Sequence, residues 1–242
     1  MQRIILTREE QSNEAWADRL AQASLPHACL PLVQYGALPV PDDRDFSGYG
    51  WIMFTSPQGV RAFADLHPQL GAARCAVLGH GTAKALTQAG WNVNFNAGAL
   101  DGVALAAQFI AAAGEPCAVL LPGPKRRLTE PRAALENAGY TVQELPLYET
   151  LPVAADVIAK GDLEPEDVIF FCSPSAVRAF AGARDEKPQC VAIGQTTAEA
   201  CRALGFLPLV AGTPDLDAMV LAAGISGLPK PTLEPVKPEL ES

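Results

Sequence analysis

With 242 residues, 49% of them hydrophobic, the chain can bury the cores of one large or two small domains. Its formal net charge of −9 at pH 7 argues against nucleic acid as a partner, because duplex binding needs a basic footprint. A small anionic ligand is not excluded, since local cations and helix starts bind anions against an unfavourable total.

In chain order, MQRIILTREE carries acid too early and lacks an apolar h-region, so it does not read as a secretory signal. No later stretch approaches the ~18 consecutive apolar residues of a membrane span, and a cytoplasmic location is expected. Short β-branched or apolar runs then alternate with helical patterns. RIIL (3–6), HACLPLV (27–33), WIMF (51–54), CAVL (75–78) and VNF (93–95) read as strands. CAVLL (117–121), TVQELPLY (141–148), VIFF (168–171), CVAI (190–193) and PLV (208–210) follow. Helical candidates such as ALTQAG (85–90), VALAAQFIAAAG (103–114), RAALENAG (132–139) and DAMVLAAG (217–224) close on glycine, as a helix C-terminus should. This alternation predicts an α/β fold with parallel sheets.

The sharpest joints are Ser56-Pro57 and Ser173-Pro174, each a serine N-cap with proline in the first turn. Val60, Phe63 and Ala64 then share one helix face, and Val177, Phe180 and Ala181 repeat it. Arg61 and Arg178, inside these helices, are expected to point to solvent. The six cysteines (Cys29, Cys75, Cys117, Cys172, Cys190, Cys201) show no C-x-x-C spacing and read as reduced, buried small hydrophobes. With three histidines and no cysteine–histidine cluster, no zinc site is expected. The tail at 228–242 holds four prolines and mixed charge and is expected to be disordered.

A long internal repeat organises these elements. FTSPQGVRAF (54–63) returns 117 positions later as FCSPSAVRAF (171–180), with seven of the ten residues identical. LPLV (30–33) returns as LPLY (145–148), and AVLGHGTAKALTQAG (76–90) as VAIGQTTAEACRALG (191–205). Because order and offset are kept, the chain should hold two similar lobes with a ligand cleft between them. The stretches 33–45 and 148–162, with prolines, acids and weak periodicity, are candidate crossings at equivalent points of the two halves.

No catalytic triad, P-loop or metal cluster is present, and GHGT (79–82) and GQTT (194–197) lack the third glycine of a dinucleotide fingerprint. Ser56, Thr82, Ser173, Thr196 and Thr197 each place a hydroxyl at a predicted helix start just after a strand. In open α/β sheets ligands gather outside the carboxyl ends of strands, and unpaired N–H groups there suit carboxylates. The alternative is that each hydroxyl only caps its helix, stabilising it by about 1 kcal/mol.

LTR (6–8), FTSPQGV, GHGTAKAL, LYET, FCSPSAVRAF and AIGQTTAEA, in this order and spacing, resemble the uroporphyrinogen-III synthase family over roughly residues 3–226. The resemblance implies two α/β lobes joined by a two-stranded β ladder. The first lobe would be discontinuous, 1–34 plus 151–227, and the second would run over 37–147. It implies a carbon–oxygen lyase of tetrapyrrole (heme) biosynthesis that binds the linear tetrapyrrole hydroxymethylbilane and closes it with ring D inverted and loss of water. It implies no cofactor and a monomer, and it leaves room for transient contact with hydroxymethylbilane synthase.

By the same resemblance Tyr148 carries the chemical role, donating a hydrogen bond or proton to the departing hydroxyl; the first half has Val33 there. The other reading of Tyr148 is a packed strand tyrosine. Thr196 and Thr197 match the family's G-x-T-T turn and would bind a substrate carboxylate, although Gln195 stands where proline is common. Ser56, Ser173 and Ser175 carry over as donors to substrate, and Thr82 joins the substrate-binding candidates from its place at a predicted helix start. Arg8 and the cluster Lys125, Arg126 and Arg127 are the candidate cations; PGPKRRL departs from a commoner Gly-rich loop, and a solvated basic patch is the alternative. The rival function is a non-catalytic two-lobed module that binds a tetrapyrrole or another anion. A nucleotide-sugar or phosphate-ligand enzyme would need a phosphate loop or a ribose-binding acid, and neither is evident.

Overall fold

A computed structural model describes residues 2–41, 44–99, 101–126 and 131–228. The chain begins with β1 (Ile4–Leu6), α1 (Glu10–Gln22), β2 (His27–Cys29) and β3 (Val33–Ala37). It continues through β4 (Trp51–Phe54), α2 (Pro57–Ala64), β5 (Arg74–Val77), α3 (His80–Gln88), β6 (Phe95–Asn96), α4 (Gly102–Ala112), β7 (Ala118–Pro124), α5 (Arg132–Asn137) and β8 (Thr141–Pro152). The last part is α6 (Ala155–Ala159), β9 (Val168–Phe171), α7 (Pro174–Ala183), β10 (Gln189–Ala192), α8 (Gln195–Ala203), β11 (Leu209–Val210) and α9 (Leu216–Ala222). The tail assigned to disorder lies, from residue 229, outside the described residues.

The chain divides into two compact units, Met1–Gln34 with Leu151–Ser242, and Tyr35–Thr150. The first holds a five-stranded sheet in the order β11-β10-β9-β1-β2 with parallel neighbours. The sheet of the second runs β3-β8-β7-β4-β5-β6. Matching the repeated segments sets β9 on β4, β10 on β5 and β11 on β6, and places β1-α1-β2 where the other sheet has β7-α5-β8. Both sheets thus have one strand order, with β3 as the addition. The chain leaves the first unit along β3 and returns along β8.

Both faces of each sheet are covered, so the central strands read as unbroken apolar runs. In the first unit, Ile5, Ile169, Phe171 and Cys190 pack with Val177 and Phe180 of α7 and Ala198 and Cys201 of α8. The alternate residues Ile4, Leu6, Val168, Phe170 and Val191 pack with Leu20 of α1 and Leu216, Met219 and Val220 of α9. The second unit repeats this: Ile52, Phe54 and Val77 meet α2 and α3 through Val60, Phe63 and Leu86. Met53, Ala76, Val119 and Leu121 meet α4 and α5 through Leu105, Phe109 and Leu135.

Local signals fall where expected at the helix ends. Ser56 Oγ accepts from Gly59 N–H and Ser173 Oγ from Ala176 N–H, each with proline in the first turn. Gly90, Gly114, Gly139 and Gly224, the predicted stops, have φ of 83°, 81°, 90° and 72°, the left-handed region that glycine enters without a Cβ penalty. The unit boundaries, at 34/35 and 150/151, fall inside the two stretches read as crossings, whose backbone is largely regular: Val33–Ala37 is strand, β8 runs on to Pro152 and α6 follows. Two readings need correction. HACLPLV is not one strand: β2 ends at Cys29 and β3 starts at Val33, because Pro31 has no N–H for a ladder. Cys29 is exposed, unlike the buried Cys75, Cys190 and Cys201.

Candidate functional site

Parallel strands bring the loops that follow them to one edge of each sheet, so residues far apart in sequence collect there. In the second unit that edge carries Ser56 after β4, Thr82 after β5, Lys125 and Arg126 after β7, and Tyr148 near the end of β8. In the first unit it carries Arg8 after β1, Ser173 and Ser175 after β9, and Thr196 and Thr197 after β10. Arg127 lies outside the described residues.

Tyr148 is 5% exposed, and its ring packs edge-on against Tyr35 with centroids 5.0 Å apart. Its phenol oxygen lies 3.2 Å from Ser56 Oγ. The first turn of α2 packs on β7, the strand that pairs with β8: a Cβ at Gly59 would touch the carbonyl oxygen of Pro122 at 3.4 Å, an ordinary contact. Lys125 N–H donates to the Tyr148 carbonyl (2.8 Å), and its ammonium pairs with Glu149 at 3.1 Å. A cavity of about 350 Å³, lined by Pro124, Lys125, Arg126, Glu149 and Thr150, opens beside this pair.

The threonines occupy a different helix position from the serines. The residues before α3 and α8 are Gly79 and Gly194, and neither helix has a side-chain cap. Thr82 and Thr197 are third in their helices and are 4% and 3% exposed, whereas Thr196 is exposed. Capping alone therefore does not account for the three threonines. The first helical N–H to find an acceptor is that of Ala83 on Gly79 and of Ala198 on Gly194, so the preceding amides of both helices remain open to a ligand among the described residues. By contrast α4 and α9 start behind Asp101 and Asp215, whose carboxylates accept from Ala104 and Ala218 N–H and fill those positions. The Thr213 hydroxyl, with the Ala218 N–H, holds the Asp215 carboxyl below its usual range.

Arg8 is half-buried, with its guanidinium 4.7 Å over the Trp16 ring. Two residues that sequence reasoning passed over hold its loop. Thr7 Oγ1 donates to the Phe170 carbonyl at 2.6 Å, tying β1 to β9. Asn13, 1% exposed, accepts from Arg8 N–H and donates to the Arg8 carbonyl. The signal available was Asn13, a polar residue on the inward face of α1. The nearby Cys172 thiol is pushed up to about 12 by burial, against the opposing charge of Arg8, so it stays protonated. Ser173 Oγ lies 2.9 Å from Ser175 Oγ. Arg178 is exposed as expected, but Arg61 is not: it is half-buried and its Nε is enclosed without a hydrogen-bond partner among the described residues.

The chain is a duplicated α/β protein with open helix starts, hydroxyls and cations gathered at its strand ends. It belongs to the uroporphyrinogen-III synthase HemD family, whose model matches residues 14–221. A porphyrin biosynthesis protein HemD from Ruminiclostridium josui is 25% identical over 90% of this chain. The chain spans about half the length of that curated relative, 47%. Among solved structures, uroporphyrinogen-III synthetase from Helicobacter pylori superposes with a TM-score of 0.65 at 17% identity, over 92% of this chain and 98% of that one. A mutant uroporphyrinogen III synthase from the extremely thermophilic bacterium Thermus thermophilus gives a TM-score of 0.54 at 20% identity, over 93% and 98%. At these identities the two structures establish a shared fold. Among the described residues no helix is long and apolar enough to cross a membrane.

Proposed function

We propose that the chain is a uroporphyrinogen-III synthase: it closes hydroxymethylbilane to uroporphyrinogen III, inverting ring D and releasing water, as a cytoplasmic monomer without a cofactor. The observation that carries this reading is the family match across residues 14–221. Each unit offers groups that suit carboxylates. Amides and hydroxyls at the starts of α3 and α8, with Thr82, Thr196 and Thr197, receive carboxylates, and Arg8 and Lys125 supply charge. Ser173 and Ser175 add hydroxyl donors in the first unit.

Tyr148 is the catalytic residue. Its phenol gives a proton to the hydroxymethyl oxygen of ring A as the C–O bond breaks, so the hydroxyl leaves as water and an electrophilic azafulvene forms. Ring D attacks through its substituted carbon, and the spiro intermediate fragments and recloses with that ring turned over. In free solution the intermediate closes without inversion. The protein's contribution is therefore to position the chain ends and keep water from the electrophile.

The test is direct. Purified protein given freshly prepared hydroxymethylbilane should yield the III isomer with no added metal or nucleotide. Formation of the I isomer alone, at the uncatalysed rate, would refute the enzyme reading and favour a binding module.

A further inference from the structure

We propose that Ser56 serves the reaction through Tyr148 rather than by binding substrate. Its hydroxyl donates to the Tyr148 oxygen and stabilises the phenolate left once the phenol has given up its proton. The proposal rests on Tyr148 being the proton donor, as above. Ser56 Oγ accepts from Gly59 N–H at 3.0 Å, which occupies one lone pair, and lies 3.2 Å from the phenol oxygen. Either oxygen can donate while the phenol keeps its proton; once that proton is gone, the single hydrogen of the Ser56 hydroxyl is the one left to give across this contact. The resulting chain, Gly59 N–H to Ser56 O–H to Tyr148 oxygen, begins at the positive end of α2. Each donor polarises the next, and the helix start favours negative charge on the last oxygen. Tyr148 is nearly enclosed, so water gives the phenolate little help.

The duplicated half supplies an internal control. Ser173 stands where Ser56 does and caps α7 in the same way. Its Oγ meets Ser175 Oγ instead, and Val33 holds the place of Tyr148. Capping is common to both serines, while the tyrosine contact belongs to one. The protons balance. Tyr148 loses one to the leaving hydroxyl, the phenolate is held by Ser56 without a second transfer, and the proton released when the macrocycle closes restores the phenol.

The experiment measures III-isomer formation with hydroxymethylbilane for Ser56→Ala, Ser56→Asp, Ser56→Thr and Tyr148→Phe, and for Ser56→Ala combined with Tyr148→Phe. Losing a hydrogen bond to a developing charge should lower kcat roughly tenfold or more in Ser56→Ala and leave KM within about twofold. Ser56→Asp keeps the helix cap and the fold but has no hydrogen to donate, so its kcat should fall at least as far. Ser56→Thr should restore turnover. In the Tyr148→Phe background, Ser56→Ala should cause no further loss. A raised KM with unchanged kcat, an Asp variant with full turnover, or independent multiplication of the two losses would overturn the proposal. Wild-type protein making only the I isomer would instead refute the enzyme reading, so the two failures are distinct.

Discussion

Asp167 closes the first unit at the edge opposite its site. Replacing it should cost stability without touching catalysis. Its side chain is 2% exposed. It accepts from Arg3 Nε at 3.0 Å, from a terminal nitrogen of Arg3 at 2.8 Å and from Glu164 N–H at 2.7 Å. These bonds fasten the residue before β1 to the turn before β9, across 164 positions of sequence. Burial alone would raise the Asp167 pKa, but the Arg3 and Glu164 hydrogen bonds and the Arg3 charge outweigh it and hold the carboxyl below its usual range. Hydrogen bonds to a charged group contribute about 1.5–3 kcal/mol each, and an unpaired guanidinium adds a penalty. Arg3 keeps Asp162 as a partner, but that carboxylate is 80% exposed and offsets only part of the loss.

Asp167→Ala should therefore cost about 3 kcal/mol, and Asp167→Asn, which still accepts from Glu164 N–H, about half of that. Because the folded-state pKa lies below the unfolded value of about 3.9, the carboxylate's contribution is complete above that value and fades as pH falls through the folded pKa. Wild-type and Asp167→Ala proteins should therefore converge in stability at low pH. The assay is urea unfolding at neutral and acid pH. Hydrogen exchange then locates the loss: β1 and β9 amides should lose protection while those of β4 and β7 keep theirs. A difference under about 0.5 kcal/mol at neutral pH, or one that persists undiminished in acid, would refute the reasoning.

Tyr148→Phe keeps the ring against Tyr35 and removes the phenol oxygen with its contact to Ser56. Stability should fall by about 1 kcal/mol or less while turnover falls about 10²-fold or more, as thermal unfolding beside isomer assay would show. Thr197→Val conserves volume at a buried position and removes the hydroxyl at the start of α8, so KM for hydroxymethylbilane should rise several-fold with little change in kcat, read from initial rates. Lys125→Ala breaks only an exposed pair with Glu149, costing under about 1 kcal/mol in denaturant unfolding. Its KM should rise and become less sensitive to salt.

Much of this was legible along the chain. The Ser-Pro joints at 56 and 173, the glycine stops and the apolar runs of the central strands act within a few residues, and they appear where short-range physics puts them. The repeat disclosed a shared design because its residues fill the same positions in two sheets of one strand order. Tyr148 stood out because Val33 is its counterpart. Position within the first turn was less legible: Gly79 and Gly194 precede their helices, and the threonines lie inside them. A hydroxyl near a helix start does not announce whether it caps or leaves the amides open.

Tertiary structure decided the rest. Parallel pairing set Tyr148, on β8, beside the serine that follows β4, 92 residues earlier. It enclosed the Nε of Arg61 while its counterpart Arg178 stayed exposed, and it tied Thr7 to Phe170 and Arg3 to Asp167. Caps, stops and periodicity are set by neighbours along the chain. Which side chains share a hydrogen bond depends on strand order and on how closely a helix seats, and those follow from packing the whole sheet.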